Sequence, residues 1–370
     1  MKKTRLLVLS ALLFGLVFVG CQKEPKEEPK KEVKVSEVST TDVAVVNNQP
    51  VEQKTAVQNA EEFNQVVLPA IAEQVGKIAS SIFAENSESN DNINFAREAK
   101  TLTAEALSKA FEEFPKKLKE AADVNEKEMT ASIDFDWKGP TGNIETEMTG
   151  VEASISALDM KIKASGSVDK ETGKINASGN ASANAAGSAS VILPEDFGAD
   201  GLKNLKLNAL AKLEADKIKF VGSPELLAMA MSGDNEDGSS GENANIDPAT
   251  LIESASGKLK VYAGVSGASY FEVKDTTANK EYNGVIKASI SLSIDESLSK
   301  DNIVSILKTL DTLDAKGSQI SGKDIDALPV SININISVYD VKGKKLFDYL
   351  TVDSFAKLEE ISKQFMPEEA

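Results

Sequence analysis

Apolar and polar residues alternate along much of the chain after Thr130, and this period of two constrains the fold more than any other feature. The alternation is clearest over residues 175–188. There the even positions are polar apart from Ala186, and the odd positions are Ile175, Ala177, Gly179, Ala181, Ala183, Ala185 and Gly187. Alanine and glycine are poor strand formers, so the alternation rather than the composition predicts a strand with one apolar face.

The same period predicts several further strands, and helical patterns precede them. The strands are predicted near 130–137, 144–148, 158–164, 203–220, 257–266, 269–274, 282–294, 330–341 and 345–350. Because strands follow helices in blocks and do not alternate with them, the pattern favours the α+β class. We expect an N-terminal helical hairpin packed on an extensive antiparallel β-sheet, with further short helices and a C-terminal helix.

Two helices are predicted between about residues 55 and 122, because apolar residues recur there at helical spacing. The first carries Phe63 and Val67 on its apolar face, and the second carries Phe111 and Phe114. A break rich in Ser, Asn and Asp at residues 86–92 predicts that the two helices form an antiparallel hairpin. The C-terminal helix is expected at about 353–366 with Asp353 as its N-cap.

The residues Lys170 to Gly173 are typical of a hairpin loop, with Gly173 at a position of positive φ. This loop pairs Asp169 with Lys174, and the register then sets large residues opposite small ones on one face. The predicted pairs are Val168 with Ile175, Gly166 with Ala177, Ile162 with Ala181, Met160 with Ala183 and Leu158 with Ala185. Either the protein's own helices or an acyl chain would cover such a shallow apolar face.

The N-terminus carries three positive charges in residues 1–5 and an apolar run of about fifteen residues that ends at Gly20 and Cys21. This arrangement resembles the signal peptide and lipobox of bacterial lipoproteins. Phe18 stands where Leu is usual, as in the relaxed lipoboxes of spirochaetes. The resemblance covers about 21 residues, and it implies that residues 1–20 are removed and that Cys21 is diacylated. Gln22, which is not Asp, implies by the same resemblance that the outer membrane is permitted.

Residues 22–34 are a run of Lys, Glu and Pro, and residues 35–50 show no strong period. Such segments bury little and remain extended, so residues 21–50 are predicted to be the lipidated Cys and a flexible tether. The α+β envelope domain is then expected to span 51–370, with its sheet-rich part at 130–350.

The composition excludes several kinds of chemistry. The chain has no His and one Cys, which excludes a His-dependent catalytic triad, an intrachain disulfide and a cysteine zinc cluster. A net charge of −17 argues against nucleic-acid binding. The carboxylate pairs Asp134/Asp136 and Glu145/Glu147 are interpreted as parts of a solvated face. We therefore assign no catalytic, cofactor-binding or metal-binding residue, and expect no cofactor.

These observations together predict a lipid-anchored, non-enzymatic cell-envelope lipoprotein with a binding or structural role. By the same resemblance, the lipid on Cys21 would anchor it in the outer membrane of the bacterial cell envelope, with the domain on the periplasmic or surface side. One alternative is a carrier of a hydrophobic ligand, which would need an apolar site between sheet and helices. A second is a carboxylate-dependent hydrolase, which would need two close, buried carboxylates in a cleft.

Overall fold

The computed structural model describes residues 33–46, 49–83, 101–144, 150–193, 200–232 and 247–365. Cys21, the signal peptide, the break at 86–92 and the pair Glu145/Glu147 lie outside the described residues. Within these ranges the protein combines one large open antiparallel sheet with several helices. The α+β class and the extensive antiparallel sheet are thus confirmed.

The main sheet contains twelve strands among the described residues. They are β3 (Thr101–Leu102), β4 (Ala122–Asn125), β5 (Thr130–Lys138), β6 (Gly142–Ile144), β7 (Val151–Val168), β8 (Ile175–Ile192), β9 (Gly201–Leu202), β10 (Asn204–Gly222), β11 (Ile252–Asp275), β12 (Lys280–Ser299), β13 (Ser331–Tyr339) and β14 (Lys345–Val352). The longest path of neighbours is β14-β13-β12-β11-β10-β8-β7-β5-β4. Every pairing is antiparallel except that of β3 with β6. The strands predicted at 257–266 and 269–274 are one continuous strand, β11.

The hairpin of β7 and β8 has the predicted register. Asp169 N donates a hydrogen bond of 2.8 Å to Lys174 O, and Gly173 has φ of +70°. Every predicted pair is present: Val168 with Ile175, Gly166 with Ala177, Ile162 with Ala181, Met160 with Ala183 and Leu158 with Ala185. The turn fixes the register and the period of two fixes the faces, so these local signals were sufficient.

Helices lie before, between and after the strands. They are α1 (Thr40–Val43), a composite helix α2 (Ala60–Glu62, a π-helical turn Phe63–Val67, then Leu68–Phe83), α3 (Ala104–Glu120), α4 (Pro224–Ser232), α5 (Pro248–Leu251), α6 (Lys300–Lys316), α7 (Gly322–Ile325) and α8 (Phe355–Phe365). The C-terminal helix is therefore present. Its first turn is capped by Ser354, whose Oγ accepts from Lys357 N at 3.3 Å, and not by Asp353.

The predicted N-terminal helical hairpin is not supported. The helices α2 and α3 exist, but each contacts a different part of the sheet. Phe63 of α2 lies in a cluster with Phe271 and Val338 on β11 and β13, whereas Phe114 of α3 packs on Phe135 of β5. An amphipathic stripe shows which side of a helix is buried but not what it is buried against, so the sequence could not distinguish a hairpin from two helices that pack separately on the sheet.

The predicted tether also ends too late. Residues 33–46, which we call the N-terminal strap, lie on the sheet, and within them Val38, Val43 and Ala44 are at most 5% exposed. Asn208 Nδ2 donates to Ser36 O at 2.9 Å, and Asn204 Nδ2 donates to Val43 O at 2.7 Å. The strap ends in β1 (Val45–Val46), which pairs with β2 (Gln49–Pro50). The folded domain therefore begins before residue 51.

Residues immediately after the strap are fixed by a buried polar network. Asn283, which is fully buried, accepts from Gln53 Nε2 at 2.8 Å and from Lys54 N at 2.8 Å. Its own Nδ2 donates to the hydroxyl of Tyr270 at 3.2 Å. Burial of the ring raises the pKa of Tyr270, as does its hydrogen bond to the Glu272 carboxylate, so the phenol stays neutral.

Candidate functional site

The alternation of residues gives the central sheet two faces of opposite character. On one face the strand registers bring together four rows of six side chains, and we call this the apolar face. The rows are Trp137, Met160, Ala183, Leu213, Val261, Ile294; Leu158, Ala185, Ala211, Ala263, Leu292, Ile332; Ile155, Gly187, Ala209, Val265, Ile290, Ile334; and Ala153, Ala189, Leu207, Gly267, Ala288, Ile336. None of these residues is charged, and only Trp137 has a side-chain N–H or O–H.

Helices cover this side of the sheet only towards its ends. Phe63 of α2 meets Phe271 edge-to-face with ring centroids 6.3 Å apart. Phe114 of α3 meets Phe135 at 5.6 Å and Trp137 at 4.9 Å, also edge-to-face. Aromatic contacts of this geometry are favourable, and they fix each helix at its own end. Of the residues predicted to cover the face, Phe111 is instead 56% exposed.

The middle of the apolar face is open to solvent. On β12, Ile290 is 47% and Leu292 41% exposed, and on β11 Val265 is 38% exposed. The alanines beside them are also exposed: Ala209, Ala211, Ala263 and Ala288. These seven residues are neighbours on three adjacent strands, β10, β11 and β12. A contiguous exposed apolar patch on a folded protein marks an interaction or ligand site.

Side-chain size varies across the open region, from small residues at its centre to larger ones at its borders. Small residues occupy its centre on β8, β10 and β11, namely Ala183, Ala185, Gly187, Ala189, Ala209, Ala211, Ala263 and Gly267. Larger residues border it on β7 and on β12, such as Leu158 and Leu292. We call this region the apolar trough. Three strands at ~4.8 Å spacing make its floor about 10 Å wide, and Leu207 and Leu213 bound a length of roughly 20 Å along β10.

The opposite, polar face carries paired charges. Lys161 Nζ lies 2.7 Å from Asp136 and Lys163 Nζ lies 2.5 Å from Asp134, each pair joining β7 to β5. The hydrogen bond to Asp136 raises the pKa of Lys161, and Asp134 does the same for Lys163. Asp134 and Asp136 are therefore paired with lysines and exposed, which agrees with their interpretation as parts of a solvated face.

The described ranges offer little for acid–base or metal chemistry. No Asp or Glu within them is buried, and they bring no three His, Cys, Asp or Glu together into a metal-binding group. The lipid-attachment residue predicted from sequence, Cys21, lies outside them, so the structure places no chemistry around it. Among the helices that are described, none has the length and apolar character needed to cross a membrane.

Comparison with known proteins adds no family to this geometry: no protein-family model, curated protein or solved structure matches the chain. The arguments on function therefore depend on the chain's own residues.

The sequence contained part of the signal for the apolar trough. The alternating Ala and Gly residues of 175–188 predicted a shallow apolar face, and the register placed large residues beside it. The extent to which helices cover that face is set by contacts between distant segments. The alternation alone could not reveal that the centre stays open.

Proposed function

We propose that this protein is a cell-envelope lipoprotein that binds an apolar ligand with an acyl chain in the apolar trough. The observation that carries the proposal is the contiguous group of exposed apolar side chains on β10, β11 and β12. The cell-envelope part rests on the lipobox resemblance, with Cys21 as the acylated residue and the outer membrane as the site of anchoring. In this proposal the protein is a binding protein and not an enzyme.

The chemistry of the floor favours an acyl chain over a protein surface. Protein interfaces carry about one hydrogen bond per 100–200 Å². The four rows offer a single side-chain donor, Trp137, which is 7% exposed beneath α3. A hydrocarbon chain needs no such partners and gains about 25 cal/mol for each Å² of apolar surface removed from water. The width of a single hydrocarbon chain also suits a floor of alanine and glycine between larger side chains.

A binding role towards an envelope protein is the second candidate, because the same patch would be covered by a helix with an apolar face. The exposed side chains of Ile290 and Leu292 favour this reading more than the alanines do, since larger side chains interdigitate with a protein surface. The hydrolase alternative has no buried carboxylate pair among the described residues.

A matched pair of variants tests ligand binding. Ala185 and Ala186 are consecutive on β8, but Ala185 pairs with Ala211 on the apolar face and Ala186 pairs with Leu210 on the other face. With a fluorescent fatty acid as the probe, we expect Ala185→Glu to weaken binding at least about tenfold, because a carboxylate would be buried against the chain. Ala186→Glu should bind like the unmodified protein.

Two outcomes would contradict the proposal. The unmodified protein would show no saturable binding of the fatty acid, or Ala185→Glu and Ala186→Glu would bind it equally well. If a helical envelope protein instead binds and is lost only with Ala185→Glu, the trough is a protein interface and the acyl-chain proposal is wrong.

A further inference from the structure

The polar face contains a cleft that the apolar ligand would not use. It has a volume of about 1250 Å³ and runs between the first residues of the N-terminal strap and the strands from β5 to β13. The strap wall is held in place: Val35 N donates to the Tyr262 hydroxyl at 2.9 Å, and Lys287 Nζ donates to Glu37 at 2.6 Å. This cleft is larger than the roughly 300–1,000 Å³ of a site for one small molecule, so it has room for an extended ligand.

The charges that line this cleft cancel in pairs. Besides the pairs Lys161–Asp136 and Lys163–Asp134, Lys260 contacts Asp295 and Lys212 contacts Glu214. These four ammonium groups each have a carboxylate partner, and Lys258 lies opposite Asp216 in the strand register, so the lining presents no field of a single sign. A strongly charged ligand would have to break these pairs, and the cleft therefore favours an uncharged one.

The part of the cleft on β11, β12 and β13 is lined by hydroxyl and amide groups. They are the side chains of Ser266, Ser289, Ser291, Ser293 and Asn333. Ser266 is 2% exposed and has no side-chain hydrogen bond to any described residue, although it lines the cleft. Its hydroxyl oxygen therefore opens onto the cleft, where it can donate a hydrogen bond to a ligand or accept one from it.

We propose that this cleft binds a glycan strand, meaning an extended and uncharged polyhydroxylated chain. Serine hydroxyls and asparagine amides both donate and accept hydrogen bonds, as sugar hydroxyls do. Tyr262, whose hydroxyl is engaged by Val35, adds an aromatic ring to the lining. An extended peptide would bind best at a sheet edge where main-chain groups are free, whereas this cleft lies on the face of central strands.

Calorimetry with full-length protein in detergent micelles tests this site, using a hexamer of β-1,4-linked N-acetylglucosamine as the probe. Ser291→Trp should fill the cleft and abolish binding. Ser188→Trp makes the same change on the same face outside the cleft and should leave binding unchanged. Ser266→Ala removes only the hydroxyl and should weaken binding about fivefold or more, and it keeps the test valid if Ser291→Trp does not fold.

Fatty-acid binding by these variants distinguishes failure of the glycan cleft from failure of the apolar trough. Ser291→Trp should lose the hexamer but retain its affinity for the fatty acid, because the trough is on the opposite face of the sheet. Absence of heat from the unmodified protein with the hexamer overturns the glycan site, and so does unchanged binding by both Ser291→Trp and Ser266→Ala. If an uncharged Ser- and Asn-rich peptide binds in place of the hexamer and is lost with Ser291→Trp, the cleft is a peptide site and the glycan assignment is wrong.

Discussion

Asn204 donates a hydrogen bond of 2.7 Å from its side-chain amide to the carbonyl oxygen of Val43. The same side chain accepts from Tyr270 N at 3.1 Å, so one asparagine joins the strap to both β10 and β11. Val43 itself is fully buried. The strap is thus part of the core of the domain, and its removal should lower the stability of the fold.

We expect Val43→Ala to lower the free energy of unfolding by about 2 kcal/mol, because it removes two buried carbon atoms and leaves a cavity. Val46→Ala is the matched control, since Val46 is 42% exposed, and it should change stability by less than about 0.5 kcal/mol. Urea denaturation measures both. Equal effects of the two substitutions would show that the strap is not packed as described.

Truncation should locate the start of the folded domain. A chain that begins at Val33 should unfold at the midpoint of the full chain, because residues 22–32 are rich in Lys, Glu and Pro and carry no apolar period. A chain that begins at Val51 loses the buried Val38 and Val43 and should unfold several degrees lower. Thermal unfolding followed by circular dichroism distinguishes the two. An unchanged midpoint for the shorter chain would restore the longer tether.

The ion pair of Glu37 and Lys287 should make attachment of the strap sensitive to acid. The hydrogen bond from Lys287, and then its charge, hold the pKa of Glu37 below its ordinary value of about 4.5. The pair therefore stabilises the fold fully above that value and loses its effect as pH falls through the lower, folded pKa. Glu37→Gln should lower stability by under about 1 kcal/mol at pH 7 and by nothing near pH 2. A constant difference from pH 7 to pH 2 would contradict this assignment.

Two alanine-to-phenylalanine variants should separate the covered part of the apolar face from the open part. Ala181 is 6% exposed and packs with Ile162 and Ala215, so Ala181→Phe should overpack the core and cost about 1–3 kcal/mol. Ala211 is exposed, and Ala211→Phe should leave stability nearly intact while reducing fatty-acid binding by filling the trough. Denaturation and native mass spectrometry report the two effects. A large loss of stability with Ala211→Phe would mean that the trough is closed.

The proposed anchor is tested at the only cysteine. Cys21→Ala should move the protein from the detergent phase to the aqueous phase in Triton X-114 partitioning, since the acyl chains would no longer be attached. Partitioning of the variant with the unmodified protein in the detergent phase would reject Cys21 as the lipid-attachment residue.

The sequence predicted the strands and register of the sheet in more detail than it predicted which segments pack on the sheet. The register of β7 and β8 followed from one loop and a period of two, and both are local signals. The strap escaped prediction because Val38 and Val43 follow no regular period, and their burial depends on Tyr270 and Val285 more than two hundred residues away. For the same reason, the sequence could not show which part of the sheet α2 packs against. Its stripe of Phe63 and Val67 matches any apolar surface, and only the assembled sheet selects Phe271.

The two candidate sites also differ in how far each could be predicted from the sequence. The Ala and Gly pattern that forms the trough is visible in the sequence, since residues two apart share a face. The glycan cleft is not visible, because its serines and asparagine come from three separate strands and its wall from the strap. Ser266 looks like any other polar position of an alternating strand, and only its burial beside the cleft sets it apart.

If Cys21 is acylated as proposed, the position of Val33 sets how far the folded domain can stand from the membrane. Twelve residue steps separate Cys21 from Val33, and a fully extended chain of that length spans at most roughly 40 Å. With an acyl group on Cys21, residues 22–32 would connect the bilayer to the side of the sheet that carries the strap. The trough is on the reverse side of the sheet, so it faces the anchoring leaflet only when the domain turns its strap side away from that leaflet. To exchange a lipid with that leaflet, the domain would have to rotate until the trough faces the membrane.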